Sequence, residues 1–386
     1  MNRSLLIVIL LFLVCVLRAD AQEYERYRVL LDTTLFSEQL GYERPITVTV
    51  PFEWQKDIDK DFPLIVVFDR QNERSHGYML RTIDYLTSNE QMPSCVIISI
   101  ASDQEHRYRE TLHLASDSNG LAEANEAFLF DELIPLAERE FKANKFRLFI
   151  GHSRYGYFTT AMLRSRTDQL NGVISISPVF TQKNVSLTDS VAMVIGTEHP
   201  STLYYRFGIG NDYPQDYRTM EPVIASLRNP KLNFKGQLFK DADHNATPGL
   251  VIATALYDVF EYWSVQQSAY IRGKVNGPST IKELEEQIVS HYGKPLRFSL
   301  GILNGKASEY FNNAEYAKAI DAWNLLLENY PNFSEAYLYI IESKLNLAED
   351  VSAVAVTLKK SLEGSCVYTE AEKSELLAEL EDLMKR

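Results

Sequence analysis

The sequence predicts an α/β fold: a mostly parallel central sheet with helices on both faces, followed by a smaller all-helical, repeat-like region. Three observations predict it. Dense apolar runs alternate with helical periods as far as Trp263, the signature of strands joined through crossover helices. Several of those runs are apolar throughout, as strands covered on both faces must be. After Ser268 the strand signal ceases and only helical patterns remain.

Tyr27–Leu31 and Ile46–Val50 read as early strands, with 41–45 as the turn between them. Pro63–Phe68 and Cys95–Ile100 are dense strands, and Tyr78–Leu86 between them is a helix. From Asn119-Gly120 to Phe141 the period is helical, with Phe130, Leu133, Ala137 and Phe141 on one face. Phe146–Ile150 is a buried strand, and Phe158–Leu163 starts a helix. Gly172–Ser177 and Val191–Gly196 read as two further central strands. A helix near 217–227, a strand near 233–239 and a helix over 250–263 complete this part.

Gly273–Pro278 reads as a linker, giving a division into 22–272, a linker at 273–279, and a helical part from 280 to 386. Tyr310, Ala319, Trp323 and Pro331 fall at offsets similar to those of a tetratricopeptide repeat, whose period is about 34 residues. A plain helical hairpin packed on the first part is the alternative.

The N-terminus sets the expected compartment. A short basic start, an apolar run from Leu5 to Leu17 and the small-x-small site Ala19-Asp20-Ala21 form a signal peptide over 1–21, leaving Gln22 first. Export to the periplasm or the exterior is expected; an uncleaved anchor and a lipoprotein reading at Cys15 are weaker alternatives. Beyond the signal only Cys95 and Cys366 remain, and no cysteine spacing suggests a metal. A net charge of −13, with no basic cluster, argues against nucleic-acid partners.

The chemistry centres on Gly151-His152-Ser153-Arg154-Tyr155-Gly156, between a strand and a helix. A serine on that sharp bend sits where helix N–H groups can meet an oxyanion. The match to G-x-S-x-G is incomplete, because Tyr155 stands where the second glycine belongs and Gly156 follows one residue late. A plain reading, with Ser153 as a helix N-cap, therefore stays open. A serine nucleophile needs a base, and the base an orienting acid, in the chain order Ser, acid, His. Of the three later histidines, His199, His244 and His291, His244 sits in a polar loop after the last strand and before the last helix. Glu198, taken to follow a strand, is the first choice of acid, with Asp212 and Asp216 as alternates. The oxyanion donors would be the backbone N–H of Arg154 and one from Arg70 or Gln71.

These motifs together resemble the esterase branch of the α/β-hydrolase fold that includes enterobactin esterases and esterase D. Arg44-Pro45-Ile46, Phe68-Asp69-Arg70, His106–Glu110, Phe128–Pro135, Gly151–Gly156, Ser177-Pro178 and Asp243-His244-Asn245 carry the resemblance, over roughly 27–263. It implies hydrolysis of an ester, with Ser153 as nucleophile, His244 as base, Glu198 as acid and Arg109 in the substrate pocket. No cofactor or metal is implied. Arg70 and Tyr155 replace family glycines beside the oxyanion hole, and Tyr155 either packs under the turn or lines the substrate pocket. The expected function is an exported serine esterase acting on a siderophore, carbohydrate-linked acyl or short acyl ester, with a protein partner conceivable for the helical part. The alternatives are an inert binding protein on the same fold and a scaffold whose helical part carries the biology.

Overall fold

The computed structural model describes residues 24–55, 60–273, 278–365 and 367–385. The signal peptide, Cys366 and most of the expected linker lie outside them. Among the described residues one large sheet holds eight strands in the order β1-β2-β4-β3-β5-β6-β9-β10. These are β1 (Tyr27–Ser37), β2 (Tyr42–Pro51), β3 (Phe62–Val67), β4 (Val96–Ile100), β5 (Ala143–His152), β6 (Gly172–Ile176), β9 (Leu203–Ile209) and β10 (Leu232–Leu238). Two-residue strands β7 (Thr181–Gln182) and β8 (Val185–Ser186) form a separate hairpin. β1 and β2 pair antiparallel, as do β2 and β4; from β4 to β10 every pairing is parallel. The expected turn at 41–45 is tighter than the sequence suggested, because Tyr42 to Pro45 already pair with β1.

The alternation along β3 shows how the sheet is buried. Leu64 and Val66 enter one core, Ile65 and Val67 the other. All four are fully buried, each contributing about 1.5–3 kcal/mol of apolar burial. The first face is covered by α3 (Ala122–Ala127), a π-helical turn (Phe128–Leu133), α4 (Ile134–Glu140), α5 (Arg154–Ser165), α6 (Leu187–Ile195) and α7 (Pro214–Ala225). The second is covered by α1 (Glu73–Ser88) and α8 (Thr247–Arg272). A short α2 (Gln104–Glu110) follows β4.

Two assignments differ from the sequence reading. Val191–Gly196, expected as a strand, is the second half of α6 and its C-cap. Its apolar run is amphipathic at helical spacing: Leu187, Val191 and Val194 are buried, while Met193 is exposed. A short apolar run does not distinguish strand from helix, and the Ser186 hydroxyl caps this one by accepting from the Asp189 N–H at 3.3 Å. The strand expected there is instead β9, whose Leu-Tyr-Tyr-Arg-Phe-Gly-Ile pattern is interrupted by a buried arginine.

The C-terminal part is helical throughout: α9 (Pro278–Tyr292), α10 (Leu300–Asn312), α11 (Tyr316–Asn329), α12 (Glu335–Asn346), α13 (Ser352–Glu363) and α14 (Glu370–Leu383). Tyr310, Ala319 and Trp323 are buried between α10, α11 and α12, and Trp323 stacks on Tyr339 at 5.0 Å. Trp263 of α8 joins the same core as Tyr292, Phe298 and Trp323. Among the described residues no helix is long and apolar enough to cross a membrane.

Candidate active site

β5 leads into Ser153, whose backbone has φ 60° and ψ −117°. Such a conformation is costly for a residue with a Cβ and persists only where its surroundings enforce it. Here they do: the Ser153 N–H donates to the Ile176 carbonyl at 2.7 Å, and the Ser153 carbonyl accepts from the Tyr157 N–H at 3.0 Å. Asp69, after β3, and Ser177, after β6, also have positive φ, at 63° and 42°. Three strained residues thus stand at the carboxyl ends of three parallel strands, where sheets of this kind bind ligands. Ser153 occupies the N-cap position of α5 without making a side-chain cap.

The incomplete glycine pattern resolves in the backbone. A Cβ at Gly151 would lie 2.3 Å from the Tyr155 carbonyl oxygen, and one at Gly156 would lie 3.1 Å from that of Ile176. Close approach is needed at 151 and 156, not at 155. Tyr155 directs its ring beneath the turn, where it is fully buried and stacks on Phe68 at 4.3 Å. Its hydroxyl donates to the Glu110 carboxylate and lies 2.9 Å from Ser102 Oγ. Glu110 is held in turn by Arg44 at 2.6 Å and by the Tyr42 hydroxyl at 2.6 Å. Of the two placements open in the sequence, the ring takes the one under the turn, and Tyr155 is corrected as a substrate-binding residue.

His244 lies where the sequence placed it, in the loop between β10 and α8. Its Nδ1 donates to Asp212 Oδ2 at 2.5 Å, leaving Nε2 without a partner among the described residues. Asp212 follows β9, in a turn closed by the Asn211 N–H donating to the Ala242 carbonyl at 2.7 Å. Gly210 permits that closure, since a Cβ there would lie 2.4 Å from the same carbonyl oxygen. The His244 carbonyl accepts from Thr247 Oγ1 at 2.9 Å and from His152 Nε2 at 3.1 Å, and the two imidazoles lie 4.5 Å apart. Burial, reinforced by His244, pulls the pKa of His152 down to about 4 and keeps it neutral.

Glu198 is not brought to this cluster. It is exposed and precedes β9, at the opposite end of the sheet from Ser153. Its expected position depended on a strand over 191–196 that is in fact α6. His199 is buried beside it, tied to the Ser201 and Thr167 carbonyls, and His291 pairs with the Tyr204 hydroxyl. Asp216 accepts from the Phe180 N–H at 2.6 Å and fixes a loop.

Of the expected oxyanion donors, the Arg154 N–H opens α5 and has no acceptor among the described residues, as befits the first turn of a helix. The Gln71 N–H likewise has none, while the Arg70 N–H is consumed by the Ile100 carbonyl at 3.0 Å. Arg70 is thereby corrected as a donor; its side chain pairs with Asp32 at 2.6 Å. Arg109 is tied to the Asn119 carbonyl at 3.2 Å. The arginine of that segment that reaches the site is Arg107, which sequence reasoning passed over. It binds both oxygens of Asp69, at 2.6 and 2.7 Å, and donates to the His152 carbonyl at 3.2 Å. It thus joins the ends of β3 and β5. Its signal was the double arginine of His106–Glu110, of which the second member was chosen.

Among the described residues no group of three or more His, Cys, Asp or Glu side chains is placed to hold a metal ion.

Residues 37–207 match the family model described as Putative esterase. No curated protein matches the chain. Among solved structures, an IroE-like serine hydrolase from Shewanella oneidensis superposes with a TM-score of 0.63 at 14% identity, covering 78% of this chain and 99% of its own. An uncharacterised protein from Capnocytophaga ochracea gives 0.60 at 14% identity over 93% of this chain and all of its own. The BES protein from Bacillus cereus gives 0.51 at 16% identity, over 61% of this chain and 95% of its own. These likenesses show the fold. The family match runs from β2 into β9, takes in the turn that carries Ser153, and ends before Asp212 and His244; with the α/β-hydrolase fold it marks a carboxylic ester hydrolase.

Proposed function

We propose that this chain is an exported serine esterase working through Ser153, His244 and Asp212. The observation that carries the reading is the 2.5 Å hydrogen bond from His244 Nδ1 to Asp212, in a loop held against the residue next to Ser153. Asp212 fixes the tautomer, so His244 Nε2 is the free base. Ser153 Oγ attacks the ester carbonyl while Nε2 takes its proton. The Gln71 and Arg154 N–H groups meet the oxyanion. Nε2 then protonates the leaving alcohol, and a water deprotonated by the same nitrogen hydrolyses the acyl-enzyme.

The inert-scaffold alternative loses its motive, since the Tyr155 ring packs under the turn and Arg70 turns towards Asp32. Siderophore, carbohydrate-linked and short acyl esters belong to the same proposal, as does export after cleavage before Gln22. The helical part is proposed to hold a protein partner.

The test is labelling with a fluorophosphonate and turnover of p-nitrophenyl acetate. Both are expected for the wild type and absent from Ser153→Ala. A folded wild-type protein that neither labels nor turns over would refute the reading. An exported protein starting elsewhere than Gln22 would refute the cleavage site.

A further inference from the structure

Beside the turn that carries Gln71 lies a cavity of about 550 Å³ between β1, β2 and the first turn of α1. Asp32, Thr47, Thr49, Arg70, Gln71 and His76 line it. Because Gln71 also offers the proposed oxyanion donor, the cavity begins at the rim of the candidate active site. Its far wall, β1, is four strands away from β5, which leads to Ser153, in the sheet order. A ligand filling both must therefore be extended.

The lining selects the chemistry. Thr49 is 1% exposed, and its hydroxyl has no partner in the fold; leaving such a group unmet costs about 1–3 kcal/mol. His76 bonds Ser99 Oγ through Nε2 at 2.8 Å, and its other ring nitrogen has no partner among the described residues. Burial and the nearby Arg70 push its pKa down to about 4, so it is neutral. The Arg70 guanidinium is already compensated by Asp32, and Glu73 adds a further carboxylate to the lining. The cavity thus offers hydroxyl, imidazole and carboxylate partners with no uncompensated positive charge. That disfavours an anionic catecholate and suits many neutral hydroxyls at once.

The geometry points to this cavity as a subsite for a neutral, hydroxyl-rich group, a sugar ring, borne by the ester that Ser153 attacks. Its catalytic meaning rests on the esterase reading; its binding does not. Arg70, where relatives of this pattern carry glycine, becomes a wall of the subsite rather than an obstruction of the oxyanion hole.

The test separates the two. Xylobiose is titrated by calorimetry into the full chain carrying Ser153→Ala, which cannot turn over. Saturable binding is expected. Thr49→Val, which keeps the side-chain shape, and Asp32→Ala should each weaken it by about tenfold, and thermal melts verify that both variants are folded. 2,3-Dihydroxybenzoate should not bind. Absence of xylobiose saturation, indifference to both substitutions, or preferential binding of the dihydroxybenzoate would each overturn the subsite. Xylobiose binding in a chain whose wild type hydrolyses no ester would sustain the subsite and refute the esterase reading instead.

Discussion

The Nε2–H of His152 donates to the backbone carbonyl of His244 at 3.1 Å, so the residue before the nucleophile grips the residue that bears the base. A carbonyl only accepts, which fixes the His152 proton on Nε2. His152 acts through His244 as a positioning residue. His152→Phe should lower kcat for p-nitrophenyl acetate by about tenfold to a hundredfold, the scale of a small misplacement of a catalytic group, with KM little changed. Steady-state kinetics checks this. An unchanged kcat would mean that the Asp212 and Thr247 bonds hold the loop alone.

Asp212→Asn removes the acceptor that sets the His244 tautomer. A loss of about 10³–10⁴ in kcat is expected, the scale seen where a triad acid is converted to its amide. Glu198→Gln, at the far end of the sheet, should stay within about twofold of wild type. The reverse order in the two variants would return the acid role to Glu198.

Tyr155 stabilises rather than selects. Tyr155→Phe leaves the buried Glu110 short of a donor and should cost about 1–3 kcal/mol. Tyr155→Gly also opens a cavity against Phe68 and should cost at least about 3 kcal/mol. Urea denaturation reads both. A Gly variant of unchanged stability with altered ester preference would place the ring in the substrate pocket.

Acid should destabilise the fold early. His76, His152 and His291 each have a folded pKa near 4, lowered chiefly by burial from an ordinary value of 6.5. In that interval the unfolded chain binds protons that the folded chain does not, so stability rises with pH. The contribution is complete above about pH 6.5 and is lost as pH falls towards 4. Urea midpoints measured at about pH 7.5 and about pH 5 should therefore fall with acidification; equal midpoints would contradict the buried neutral state.

Most of the fold was legible because its signals are local. Pro63–Phe68 is apolar throughout, Cys95–Ile100, Phe146–Ile150 and Gly172–Ser177 are dominated by apolar residues, and each became a strand of the central sheet. The strand–turn–serine–helix context was equally readable, and so was the placement of His244 before α8. The acid was lost at one segment: α6 resembles a buried strand in composition, whereas β9 carries Arg206 among aromatics and does not. Exchanging the two put Glu198 at the wrong end of the sheet. The position of the Tyr155 ring was not legible, because it depends on Glu110, Ser102 and Arg44 arriving from distant segments.

The shared core of Trp263, Tyr292, Phe298 and Trp323 bears on how the chain comes apart. A module joined by a tether melts on its own, but an appendage whose aromatics complete the hydrolase core cannot leave without unroofing α8. Calorimetry should then record one endotherm for both parts, with equal calorimetric and van't Hoff enthalpies. The helices beyond α8 would be a permanent wall of the catalytic body, inherited and lost with it; two resolved transitions would make them a passenger.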